Sequence, residues 1–220
     1  MFERSKIGPR LAAGFGVLLL LLCVVAGFGA YRAAKINESV VHLDERSFRS
    51  VQLLGDLRGH VNAVRRATLR HLLEESDAAK ASQRSKRDEL VKKTIPALFE
   101  AYVKTLDSPE EVKLFESIKT FWAEYLVDDQ QQIALSDKGA AGFDAARAFS
   151  TGLAAASFSK TLLTIEEDVH LNAEAADRAL AETIKAYQTS LLLNGGAVLM
   201  AVVAGTLLAR AITRSIVQPI

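Results

Sequence analysis

Cysteine occurs once in 220 residues, at Cys23, and proline only four times. A single thiol excludes an internal disulfide framework and a cysteine-built zinc site. Scarce proline leaves long stretches free of the residue that most strongly breaks a helix. The short patterns that accompany catalysis are missing as well: there is no HExxH, no GxSxG, no CxxC and no glycine-rich phosphate loop. The four histidines, His42, His60, His71 and His170, fall at different heights. His71 and Glu74 share helical spacing, which reads as a surface or capping pair rather than a metal site. The expectation is a non-enzymatic chain without metal or cofactor.

Charge of either sign is missing from two blocks, residues 11–31 and 189–209, each 21 residues long. As helices they would measure about 31 Å, the thickness of a bilayer's hydrocarbon core. Neither shows a polar face, so both read as transmembrane helices rather than buried soluble ones. Arg4, Lys6 and Arg10 precede the first block and Arg210 and Arg214 follow the second. The positive-inside rule then puts both termini in the cytoplasm and the middle outside. The small residues Gly29 and Ala30 offer an alternative, a signal peptide cleaved near Tyr31. The length of the block and the unbroken sequence beyond it favour an anchor that stays. The layout is a tail (1–10), a first span (11–31), an outside domain (32–188), a second span (189–209) and a basic end (210–220).

The outside segment holds 22 of the 27 basic and 25 of the 26 acidic residues, a net charge of −3 with histidines neutral. That balance argues against a nucleic-acid partner. Its apolar residues recur at three and four, and breaks fall only at 74–79, 106–111 and 136–142. Ser108, Pro109 and Glu111 form a capping box around a first-turn proline. Three breaks make four helices, roughly 32–75, 78–106, 109–136 and 140–188. The fold class is all-α: an up-down-up-down four-helix bundle whose first and last helices continue into the two transmembrane helices.

The core stripes are Leu54, Leu57, Val61 and Val64 on helix one, and Phe115, Ile118, Trp122, Tyr125 and Ile133 on helix three. Helix four offers Thr151, Ala155, Phe158, Leu162, Ile165, Val169, Ala176, Leu180 and Tyr187 in near-heptad rhythm. Helix two has a polar first half, and Pro96 should kink it or remove a hydrogen bond. Helices one and four outlast the other two, so apolar stripe is left uncovered toward the membrane and a parallel homodimer is expected to cover it.

The stretch LRGHVNAVRRATLRHL, residues 57–72, places Arg58, Asn62 and Arg65 along one flank of the helix-one stripe and Arg66 and Arg70 along the next. Arg65 lies about eleven residues from the bundle's outer turn, level with Asp88, Tyr125 and Thr151. Four polar side chains at one height suit a small anionic ligand, with the guanidinium forked onto a carboxylate and two hydroxyls fixing its orientation. The candidate ligand-binding residues are thus Arg58, Asn62, Arg65, Arg66, Tyr125 and Thr151. The alternative is structural, with Arg65 paired to Asp88, Tyr125 in the core and the other arginines solvated.

The end of the chain, RAITRSIVQPI, resembles the beginning of a HAMP linker, with Arg214, Ile216, Pro219 and Ile220 in its opening pattern. Placed after a second span and a four-helix outside domain, it makes the chain resemble the sensory half of a bacterial methyl-accepting chemotaxis protein of the aspartate and serine receptor type. The resemblance implies an inner-membrane, multi-pass receptor with a periplasmic sensor domain. It also implies a cytoplasmic adaptor and histidine kinase as partners through a signalling domain. Receptors for aspartate hold ligand carboxylates with three helix-one arginines spaced five and four. Arg65 and Arg70 keep the five and Arg66 and Arg70 the four, but His60 or Val61 stands where the first arginine would be. Related bundles for organic or aromatic acids fit the arginine pair and Tyr125 as well. Two alternatives stay open: the input module of a histidine kinase or diguanylate cyclase, and an adaptor-type bundle with no small ligand.

Overall fold

A computed structural model describes residues 7–42 and 47–217, and among these residues there is no strand. Two compact units are present: one is His42–Arg178, and the other combines Met1–Val41 with Ala179–Ile220.

The first unit contains α2 (Arg49–Leu73), α3 (Asp77–Glu89), α4 (Ile95–Val103), α5 (Pro109–Ser136), α6 (Ala140–Thr151) and the early part of α7 (Leu153–Val217); α1 (Ile7–His42) belongs to the second. The chain reverses at the three expected breaks, each with a local cause. Ser76 accepts the Ala79 N–H and caps α3. Ser108 accepts from the Glu111 N–H while the Glu111 carboxylate takes the Ser108 N–H, the expected capping box around Pro109. Gly139, at φ 63°, is the only described residue with positive φ and turns the chain into α6.

Among the described residues, two of the four expected helices are divided. Helix one is described as α1 and α2, and residues 43–46 between them lie outside the described residues. Helix two is α3, a π-helical turn Leu90–Thr94, and α4. The turn lets the Ile95 N–H reach back five residues to the Leu90 carbonyl, directly before Pro96, which has no N–H to give. The wider turn is how the helix accommodates the expected proline defect. Helix four stops at Gly152, with φ −97° and ψ −104°, and restarts as α7.

The helix-four stripe is corrected at its two ends. Leu180 and Tyr187 are exposed, and so is Thr151. The buried positions are Gly142, Ala146 and Ser150 in α6 and Ala154, Thr161, Thr164, Ile165, Asp168, Asn172 and Ala176 in the bundle part of α7. Between its ends the stripe holds: Ile165 and Ala176 are buried, and Phe158, Leu162 and Val169 pack against the core. Every stripe residue named on helices one and three is buried. Leu54, Leu57, Val61 and Val64 of α2 meet Ile95 and Tyr102 of α4, Phe115, Ile118, Trp122 and Tyr125 of α5, and Ile165 of α7. Ring edges knit the α4–α5–α7 side: Phe99 and Tyr102 stand at 5.5 and 5.3 Å from Phe115, and Tyr125 at 5.4 Å from Phe158.

In the second unit, α1 and the later part of α7 are apolar nearly all round. Both contain stretches long and apolar enough to cross a membrane, with mean hydropathy of 2.4 and 2.1 in their most apolar windows. Phe15, Leu19, Leu20, Leu192, Leu199 and Met200 are each more than half exposed. Gly205 marks where the helices come close, since a Cβ there would lie 2.9 Å from Leu18 Cδ2. Of the HAMP-like end, Gln218, Pro219 and Ile220 lie outside the described residues, as do residues 1–6 of the tail.

Candidate functional site

Arg65 projects from α2 into the bundle and is only 9% exposed. Its Nη1 donates to Gln132 Oε1 on α5 at 2.9 Å, and its Nη2 to the Ser150 carbonyl at 2.6 Å and Ser150 Oγ at 3.2 Å. The guanidinium carbon lies 5.6 Å from the centre of the Phe158 ring. Ser150 sits in the last turn of α6, where carbonyls lack helical donors and the helix dipole is negative. Arg65 therefore ties α2 to the joint at Gly152 between α6 and α7.

Two features of this cluster are electrostatically incomplete. Among the described residues, no carboxylate lies within salt-bridge reach of Arg65. Beside it, Gln132 is wholly buried and its Nε2 has no hydrogen-bond partner among the described residues. A buried cation without an anion and a buried donor without an acceptor are both costly, and both would be relieved by one anionic oxygen pair.

Tyr125 adjoins the cluster. It is wholly buried, and its hydroxyl donates to Asp129 Oδ1 at 3.2 Å. Burial and then the Asp129 charge push its pKa well up, while Arg65 beside it pulls the other way. Asp129 itself, also wholly buried, accepts from Thr68 Oγ1 at 2.5 Å and from Arg87 Nε at 2.6 Å. This is a fully answered ion pair, in contrast to Arg65.

Of the six expected residues, Arg65 and Tyr125 are brought together. Arg58 is half exposed and lies 3.7 Å from Glu166. Asn62 bonds back to the Arg58 carbonyl at 2.8 Å, and Arg66 is exposed. Thr151 is exposed, its hydroxyl donated within α6 to the Arg147 carbonyl at 3.1 Å. Its neighbour Ser150 takes the inward position instead. Asp88 does not meet Arg65 but pairs with Arg87 and Lys92, at 2.8 and 2.7 Å. Gln132, Ser150 and Asp129 were missed. Gln132 and Asp129 follow Tyr125 by seven and four on one helix face, a signal present in the sequence; Ser150 stands one turn after the buried Ala146.

Two further polar layers lie outside this cluster. His71, expected on the surface or as a cap, is 1% exposed, and its Nδ1 stands 3.0 Å from Ser136 Oγ. Burial lowers its pKa and the Asp137 charge partly restores it. Toward the α4–α5 reversal, the Tyr102 hydroxyl donates to Asp168 Oδ2 at 2.8 Å and Asn172 Nδ2 to Asp168 Oδ1 at 3.1 Å. Burial raises the Asp168 carboxyl to about 6, the Tyr102 and Asn172 hydrogen bonds oppose the rise, and the Glu111 charge adds to it.

Residues 4–187 fit the family described as a four helix bundle sensory module for signal transduction. No curated protein matches the chain, and no solved structure does.

Proposed function

Because the chain belongs to the four-helix-bundle sensory modules of methyl-accepting chemotaxis proteins, we propose that it is the input half of a transmembrane chemoreceptor and takes a small organic, aromatic or amino acid at Arg65. The observation that carries the ligand class is Arg65 itself, a buried guanidinium with no carboxylate in reach among the described residues, beside the Gln132 donor that has no partner among them. A ligand carboxylate would accept from both and place an aromatic or apolar body against Phe158 and Tyr125.

The same residues suggest how binding is read out. Arg65 holds the Ser150 carbonyl at the α6–α7 joint. An anion that draws the guanidinium away loosens that joint and biases α7, an unbroken helix over Leu153–Val217. We take the two apolar helices as membrane spans, the bundle as periplasmic and the receptor as a homodimer in a bacterial inner membrane. Its output would pass through the HAMP-like residues 210–220 to an adaptor and a histidine kinase, without catalysis in this chain.

Calorimetric titration of the full chain in nanodiscs with benzoate, succinate and aspartate tests the reading. At least one acid should bind, and Arg65→Ala should lower its affinity about 30-fold or more, the usual effect of losing a desolvated charged contact of about 2–5 kcal/mol. Arg66→Ala, at an exposed position, should leave it unchanged. Normal binding by Arg65→Ala with a lower melting temperature would make Arg65 a cap for α6 and nothing more.

A further inference from the structure

A cavity of about 390 Å³ opens between the start of α2, the reversal between α4 and α5, and residues 171–178 of α7. Along α2 its Ser50 is fifteen residues from Arg65, about 22 Å, and the two clusters share no residue. Ser50 is wholly buried, lines this cavity, and its Oγ has no hydrogen-bond partner among the described residues. A buried hydroxyl in that condition marks a position a ligand atom would complete.

The walls set the sign of that ligand. Among the described lining residues, the carboxylates of Asp107, Glu110 and Glu111 stand with one cation, Arg178, which is itself engaged with Glu174 at 3.0 Å. Glu111 is occupied by the capping box, accepting from the Asp107 N–H at 2.7 Å and the Ser108 N–H at 2.9 Å. Glu110 is exposed and makes no salt bridge among the described residues. Behind the wall stands Asp168, joined to the cavity through Asn172, with neutral donors on both its oxygens. The cavity is negative, lined by hydroxyls and amide, and of a volume suited to a compact polar molecule.

We propose that this cavity binds a small hydroxylated primary ammonium compound, with the ammonium group facing Glu110 and the free Ser50 hydroxyl completing its shell. The site lies against α7 through Asn172 and Arg178, so the same output helix receives an input of opposite charge to the Arg65 ligand. The acids on the wall exclude carboxylate compounds, which separates the two inputs chemically.

Ethanolamine, ethylene glycol and glycolate form a near-isosteric cation, neutral and anion series, and the full chain in nanodiscs is titrated with each. Ethanolamine should bind with the micromolar-to-millimolar affinity open to so few atoms, and the other two about tenfold or more weakly. Glu110→Gln, at an exposed position, should lower ethanolamine affinity about tenfold without changing the helical circular dichroism, and Ser50→Ala several-fold. Arg178→Ala, which removes the opposing cation, should strengthen binding. Arg65→Ala should leave it unchanged, and a loss there would move ethanolamine to the other cluster. No ethanolamine binding by the parent chain, equal affinity for ethylene glycol or glycolate, or full affinity in Glu110→Gln overturns the proposal.

Discussion

Asp168 and Asp129 are both wholly buried carboxylates, yet their surroundings differ in one respect. Asp129 has the Arg87 guanidinium, and Asp168 has only Tyr102 and Asn172. With Arg87 removed, Asp129 keeps the Thr68 and Tyr125 hydroxyls but loses its cation, so Arg87→Ala is expected to destabilise the bundle by about 3–5 kcal/mol in thermal or chemical melts. Asp168 titrates near 6 in the folded protein, above its ordinary 3.8, held there by burial and by the Glu111 and Glu167 charges. The folded state thus binds the proton more tightly than the unfolded one. The contribution of Asp168 to stability is fully present below about pH 4 and is lost as pH rises through about pH 6, by at most about 3 kcal/mol. His71 acts in the opposite sense: its folded pKa is lowered by burial, so its contribution is present above about 6.5 and is lost as pH falls. Melting curves across this range separate the two. Asp168→Asn should flatten the fall between about pH 4 and 6 and leave the His71 slope visible. An unchanged profile in Asp168→Asn would mean that the carboxyl is not the titrating group.

Among the elements, the joints hold most of the constraint. A Cβ at Gly142, in the first turn of α6, would lie 2.1 Å from the Leu135 carbonyl oxygen, a backbone atom with little room to retreat. Gly55, exposed within α2, has nothing within 4 Å of the same position. The pair makes a controlled comparison. Gly142→Ala should cost more than about 1–3 kcal/mol, and Gly55→Ala should stabilise by up to about 1 kcal/mol through helix propensity. In melting temperature that is a fall of several degrees against a small rise. The π-helical turn before Pro96 has a related logic. The proline withholds one hydrogen bond, and the extra residue in the turn lets Ile95 find another at Leu90.

At the scale of the whole molecule, the bundle shows apolar side chains that its own helices leave uncovered. Val127, Leu153 and Leu163 are 68, 65 and 65% exposed. A second copy is the simplest cover, so residues 32–188 expressed alone should be soluble, helical and self-associating. Sedimentation over a concentration series checks this, and a monomer at high micromolar concentration counts against a dimer. The unit His42–Arg178 has its own core, which makes such a segment a reasonable object to study. If the first apolar helix is a retained anchor, mass spectrometry of membrane-extracted protein should find it intact. A mature chain beginning near Tyr31 would show a cleaved signal peptide instead.

The helical class, the three reversals, the capping box at Ser108 and the buried stripes of α2 and α5 were all legible in the sequence. They follow from the period of apolar residues and from local turn chemistry, which act over a few neighbours. The paired helices of the second unit were legible too, from runs of uncharged residues. What the sequence could not decide was phase and partnership. In α6 Ser150, one turn after the buried Ala146, turns inward rather than Thr151, and in α7 the polar Asp168 and Asn172 are buried beside the apolar stripe. Arg87 rather than Arg65 takes a buried carboxylate, and that carboxylate is Asp129. Pairing of this kind depends on the relative rotation of helices far apart in the chain, where a phase error of one residue, about 100°, exchanges an inward side chain for an outward one. Only packing fixes that rotation, and with it which buried charge meets a carboxylate.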